Sequence, residues 1–244
     1  MQRILAQVTH ASRLYETLLE SGACDASLVW AVPRMALALQ CTMPPLDEAE
    51  LATASGLGEF VEGAAHAYET LNALVYRRST TRDLGLLERT CTPQMARVLS
   101  ATAEELHGAD RAMTYTLEES ALARRSLRAA VCDTFATERE RDLEHTLRGY
   151  DDLLHDLETD EARSKMLVSM GEELTELRAA RGDEHGAVEA PFVSCEFDVL
   201  FESNERMSVE AAGQTVVVEK RQLSTWRFLT TDLDDVEWRL AKIF

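Results

Sequence analysis

The sequence predicts an α+β fold, with helices first and a bent antiparallel sheet last. Three observations predict it. Helix-favouring residues dominate up to about position 180, with 97 proline-free residues between Pro93 and Pro191. After Gly186 the apolar period switches to two, as Val193, Cys195, Phe197, Val199 and Phe201 alternate with Ser194, Glu196, Asp198 and Glu202. The turns between successive strands are short, whereas parallel pairing needs long crossovers, so the strands form an antiparallel meander.

Residues 2–20 and 27–39 read as two short helices joined by the Ser21–Gly22 break, and Pro44 and Pro45 force residues 42–45 out of the α region. Phe60, Ala64, Ala67, Leu71, Leu74 and Val75 place an apolar stripe on a helix at 59–77. A short helix follows at 83–90, with Leu84 and Leu87 inward. Thr92 before Pro93 is the cap of the next helix, which packs Met95, Val98, Leu99 and Leu106. Met113, Leu117, Leu127 and Val131 mark a further helix. Leu143, Leu147, Tyr150, Leu154 and Leu157 recur in steps of four and three, as do Leu167, Met170, Leu174 and Leu177. These heptad-like stripes suit an αα-hairpin or a partner helix. In the sheet half, strands are expected at 193–202, 207–210, 215–229 and 236–244, with turns at 203–206, 212–214 and 232–235. The domain boundaries are then a helical extension at 1–58 and an α+β domain at 59–244, with 108–184 as an inserted acidic helical arm.

The chain has 244 residues, 43 Asp+Glu against 25 Lys+Arg, and a net charge of −18. That length supports a sizeable core without staples. The charge disfavours nucleic acid, whose binders neutralise phosphates with Lys and Arg, and disfavours docking on anionic lipid. It is also localised, since residues 137–186 hold 15 acids and 7 bases, a net −8. Such a run is a solvated face or an acidic docking surface for a basic partner. The five cysteines, Cys24, Cys41, Cys91, Cys132 and Cys195, are scattered without a C-x-x-C. They read as buried apolar residues in a reducing compartment, neither a disulfide framework nor a zinc site. No run of about 20 apolar residues spans a membrane. The first fifteen residues hold Arg3 and Arg13 without an acid, which fits an organellar transit segment or an ordinary amphipathic helix.

No catalytic constellation is expected, because phosphate-loop, dinucleotide, nucleophile-elbow and zinc-protease motifs are all missing. Asp152 and His155 lie three apart on an expected helix face, but a metal centre needs matching ligands elsewhere, and no second Glu-x-x-His occurs. No cofactor is implied. Trp226, Phe228, Trp238 and Phe197 pack a core or interface, or line an apolar pocket where the sheet wraps the helices. A small-ligand or enzymatic role would need polar groups converging there, and the sheet offers Glu196, Asp198, Glu219 and Arg221. Alternation puts Glu196 and Asp198 opposite the apolar face.

Two sets of residues resemble a known family. The first is Ala67-Tyr68-Glu69-Thr70-Leu71-Asn72-Ala73-Leu74, then Asp83-Leu84-Gly85-Leu86-Leu87, then Thr92-Pro93-Gln94-Met95. The second is Ser224-Thr225-Trp226-Arg227-Phe228, the acidic turn Asp232-Leu233-Asp234-Asp235, and Glu237-Trp238-Arg239-Leu240-Ala241-Lys242-Ile243. Together they resemble the C-terminal domain of the import-motor adaptor of the mitochondrial inner-membrane translocase, a family that includes a membrane-docking mitoribosomal large-subunit relative. The resemblance spans residues 59–106 and 187–244. It implies a cone, a bent antiparallel sheet wrapped around helices as in nuclear transport factor two, with no catalytic residues in the matched motifs. The acidic helices and the lack of lysine-rich character depart from the family.

The resemblance implies a non-catalytic accessory subunit of a matrix-side inner-membrane assembly, of the respiratory chain or ATP synthase. Its partners would be other protein subunits, with peripheral membrane contact. Leu143, Leu147, Tyr150, Leu154, Leu157, Leu167, Met170, Leu174 and Leu177 would dock onto them. The alternatives are a mitoribosomal large-subunit protein or import-motor adaptor, a small-ligand-binding or enzymatic cone, and a cytosolic helical scaffold.

Overall fold

A computed structural model describes residues 55–77, 85–107, 113–155, 157, 159–180, 192–211, 213–231 and 236–244. The helices expected at 2–20 and 27–39, and the turn at 232–235, lie outside the described residues. The described chain runs α1 (Ser55–Tyr76), α2 (Gly85–Thr90), α3 (Pro93–His107), β1 (Met113–Phe135), α4 (Glu138–Arg148), α5 (Asp160–Ala180), β2 (Phe192–Ala211), β3 (Gln214–Thr230) and β4 (Arg239–Ile243). Helix α1 begins at Ser55, so a boundary drawn at residue 58 cuts through it.

The four strands form one antiparallel sheet in the order β1-β2-β3-β4. Coarsely the fold is α+β, as the change of period from helical to two requires. The α1 stripe buries Val61, Ala64, Ala65, Tyr68, Leu71 and Val75. It packs with Met95, Leu99 and Ala103 of α3 against Leu127, Phe197, Val199, Phe201, Trp226 and Phe228 on one face of the sheet. Thr92 precedes α3, and its amide donates to the Leu240 carbonyl at 2.9 Å, tying that helix to β4.

The largest departure from expectation is β1. Residues 113–131 were expected as a helix, since LEESALARRSLRAA is rich in good helix formers. They are a strand because pairing with β2 along its whole length outweighs local propensity. Bulges at Glu118, Ala123 and Arg128 each insert one residue against β2. Leu117, Leu122 and Leu127 are therefore five apart, yet stand opposite Met207, Ser203 and Val199 on the same face. The bulges bend the strand and erase the alternation that marks strands in a sequence. Similarly, residues 203–206 are not a turn. Ser203 and Glu205 face α1 while Asn204 and Arg206 face away, so the polar cluster is simply strand. The chain turns at Gly213, which has a positive φ of 76° between β2 and β3.

The acidic helices expected from about residue 108 begin at Glu138. Thr137 caps α4 by accepting from the Glu140 amide at 3.1 Å, while the Glu140 carboxylate accepts from the Ala136 amide at 2.9 Å. The heptad-like stripe through Leu157 predicts a longer helix than exists. Gly149 adopts φ 74° and ends α4, with its amide donating to the Thr146 carbonyl. Leu143 and Leu147 are helical; Tyr150, Leu154 and Leu157 lie beyond the cap. Leu167, Met170, Leu174 and Leu177 all lie on α5, where Leu174 is buried and the other three are half-buried.

Candidate functional site

The two faces of the sheet serve different purposes. On the helix-covered face, Phe197, Phe228 and Trp238 close around Phe60 of α1, with ring centroids 4.8 to 5.7 Å from it. Phe197 and Trp238 lie 4.5 Å apart. These three expected pocket residues pack in or against the core. Trp226 sits further along, against Tyr68 at 4.9 Å and Phe201 at 5.8 Å.

On the opposite face, alternation places Glu196 and Asp198 as the sequence predicts. A row of charges there crosses four elements. Arg148, in the last turn of α4, pairs with Asp133 of β1 at 2.7 Å and with Glu196 of β2. Arg227 of β3 reaches Glu196 at 3.0 Å and holds Asp198 through two parallel bonds from one edge of its guanidinium. It also donates to the Tyr150 hydroxyl at 3.3 Å. Burial works against the Arg148 cation, but Glu196 and Asp133 override it and raise its pKa. The hydrogen bond to Asp198 does the same for Arg227. Tyr150 rises to about 12, mainly by burial. Buried charges this fully paired clamp α4 to the sheet. Glu219 and Arg221, the other titratable candidates, are exposed, and Arg221 pairs with Glu202.

Helix α5 packs on α4, where Arg139 binds Glu173 through two 2.7 Å bonds and Arg178 reaches Glu140 and Glu144. It leaves Val168 61% and Met166 41% exposed. The expected docking residues therefore divide. Leu143, Leu174 and Tyr150 are buried within the molecule, while Leu147, Leu154, Leu157, Leu167, Met170 and Leu177 are half-buried.

Beside α4, a cleft of about 690 Å³ lies between the start of α3 and β4. Its walls mix Asp142, Asp151 and Glu237 with Arg239, so it favours no single charge of ligand. His145 lines it with its imidazole pushed down to about 4, by burial and then by Arg141 and Arg148, and its Nε2 lies 3.0 Å from Ser194 Oγ. Asp152 and His155 lie beyond the end of α4, not on one helix face, and Asp152 pairs with Arg97.

The cysteine expectation is corrected at one pair. Cys132 and Cys195 are directly opposed in β1 and β2, with Cα atoms 4.2 Å apart, and are joined in a disulfide. Cross-strand neighbours 63 residues apart carry no spacing signature, so the sequence could not show it. Cys91 is a buried thiol raised by burial to about 11, and Cys24 and Cys41 lie outside the described residues. No family model matches the chain, and no curated protein matches it.

Proposed function

We propose that the chain is a non-catalytic accessory subunit of a mitochondrial inner-membrane-associated assembly, of the respiratory chain or ATP synthase, with α4 and α5 as its docking arm. The cone architecture implied by the family resemblance belongs to the same proposal. Three bulges in β1 and the packing of α1 and α3 on one face of the sheet support it. The observation that carries the docking role is α5 itself, a helix anchored through α4 that leaves the apolar side chains of Met166 and Val168 exposed on its surface. A charge-clamped α4 provides a rigid base, and a helix exposing apolar residues between charges is a surface for a second helix. The matrix face belongs to the proposal too, although the Cys132–Cys195 bond favours an oxidising compartment.

The test is crosslinking mass spectrometry on native membranes, paired with a Met166→Glu, Val168→Glu double variant. Crosslinks from Lys165 to another subunit, lost from the complex in the variant while the unfolding midpoint holds, support the docking role. Recovery of the native chain as a free monomer outside every membrane-fraction complex overturns it. Salt-resistant co-sedimentation with ribosomal large subunits would reassign the partner.

A further inference from the structure

Between α1 and the residue 205–226 stretch of β2 and β3, a pocket of about 140 Å³ remains. Three aromatic residues line it, Tyr68 and Tyr76 from α1 and Trp226 from β3. Glu205 of β2 lines it as well, with its side chain only 9% exposed. The Tyr68 hydroxyl donates to Glu205 Oε1 at 3.2 Å, and the Ser203 hydroxyl donates to the same oxygen at 3.1 Å. The other oxygen, Oε2, has Lys220 Nζ at 3.3 Å. Ser224 adds a hydroxyl that is buried in the wall without a partner.

A carboxylate this buried requires a counter-charge. The one it has comes from a strand segment exposed throughout, residues 214–221, and Lys220 itself is 41% exposed. An ion pair held from the solvent side by a long flexible stem is weak and readily exchanged. Beneath it lies a recess walled by aromatic rings, the surroundings that attract an ammonium group by cation–π interaction. The Glu205 charge is felt by two of those rings, because Tyr68 and Tyr76 are both raised by burial and then by that carboxylate. Pockets for drug-sized ligands run from roughly 300 to 1,000 Å³, so this one suits a headgroup-sized cation.

We propose that this pocket binds a small quaternary ammonium group, with Glu205 as its counter-ion and Tyr68, Tyr76 and Trp226 as its aromatic wall. Lys220 occupies the carboxylate until the ligand displaces it. The site lies on the face of the sheet opposite the docking arm and stands independently of it.

Choline chloride titrated into the full chain, followed by tryptophan fluorescence and by the choline methyl proton signal, tests this. Its uncharged isostere 3,3-dimethylbutan-1-ol is the control. Choline is expected to bind at least about tenfold more tightly than the alcohol, and Glu205→Gln to abolish that preference. Lys220→Met is expected to tighten choline about threefold, since it removes the competing cation. A purely structural Glu205–Lys220 pair would give no such gain. Co-pelleting with phosphatidylcholine vesicles would assign the ammonium to a lipid headgroup, and binding of free choline alone to a soluble amine. Equal binding of choline and the alcohol, or weaker choline binding by Lys220→Met at an unchanged unfolding midpoint, overturns the proposal.

Discussion

Arg227 grips Asp198 across the β2–β3 pairing through two parallel bonds, Nε to Oδ1 at 2.7 Å and Nη2 to Oδ2 at 2.9 Å. The two residues are direct register partners, so the pair sits where the sheet itself aligns them. The same guanidinium reaches Glu196, which joins the pair to Arg148 and hence to α4.

Removing that guanidinium leaves two acids on the α4 side of the sheet with less than their full counter-charge. Arg227→Met is expected to cost about 3 kcal/mol, the lower end of the range for breaking a buried pair because Arg227 keeps some exposure. Arg227→Lys should recover only part of this, since an ammonium cannot form the two-pronged contact. Urea denaturation midpoints of the three proteins measure both effects, and full recovery by lysine would show that charge alone matters.

The ring cluster around Phe60 sets a second expectation. Phe197 is fully buried, so Phe197→Ala should cost about 3–5 kcal/mol through lost burial and a cavity. Phe192, on the same strand, is 38% exposed with Arg141 over its ring, and Phe192→Ala should cost less than about 1 kcal/mol. Thermal unfolding of both variants decides whether the core runs through this end of β2.

His145 makes stability pH-dependent. Its folded value, about 4, lies below the ordinary 6.5, so the unfolded chain takes up the proton first as pH falls. The contribution is complete above pH 6.5 and erodes between 6.5 and about 4. Between pH 7.5 and 5.5 the loss should be about 1 kcal/mol, allowing for partial exposure of the ring. His145→Gln should flatten the stability profile over that interval, and an unchanged slope in denaturation series at the two pH values would exclude the imidazole as its source.

The Cys132–Cys195 bond closes a long loop, with its ends 63 residues apart. Reduction should therefore lower stability by about 2–4 kcal/mol. Denaturation with and without dithiothreitol measures this. Alkylation in intact cells before lysis, read by mass spectrometry, reports whether the bond exists there. Complete labelling of both cysteines would place the chain among reducing surroundings.

Legibility followed how local each signal was. The Phe60 to Val75 stripe, the Thr92–Pro93 start of α3 and the alternation from Val193 to Phe201 are local patterns, and each element stands where they put it. Alternation also placed Glu196 and Asp198 on the correct face. Helix α4 shows the limit, because leucine spacing continues past Gly149 while the left-handed glycine stops the helix. Glu205 and Lys220 lay in plain sight on β2 and β3. Only the strand pairing and the approach of α1 turned them, with Tyr68 and Tyr76, into a walled pocket.

By itself the sequence determined the α+β class, the helices α1 and α3 and most of the residues they pack, although Val98, expected to pack, is 44% exposed. Each follows from which side of a helix or strand is apolar. Tertiary structure alone decided that residues 113–135 are a strand, that Cys132 meets Cys195, and that charges from four elements share one row. Those outcomes depend on pairing between distant segments, where β2 supplies the hydrogen bonds and β1 bends to accept them. The acidic stretch acquired a division of labour in the same way. Glu140 and Glu144 bind Arg178, and Glu173 binds Arg139, joining α4 and α5 to each other, while Asp160 and Glu161 remain on the surface. The net charge of that stretch is written in the chain, but which charges are spent on folding depends on what lies across from them.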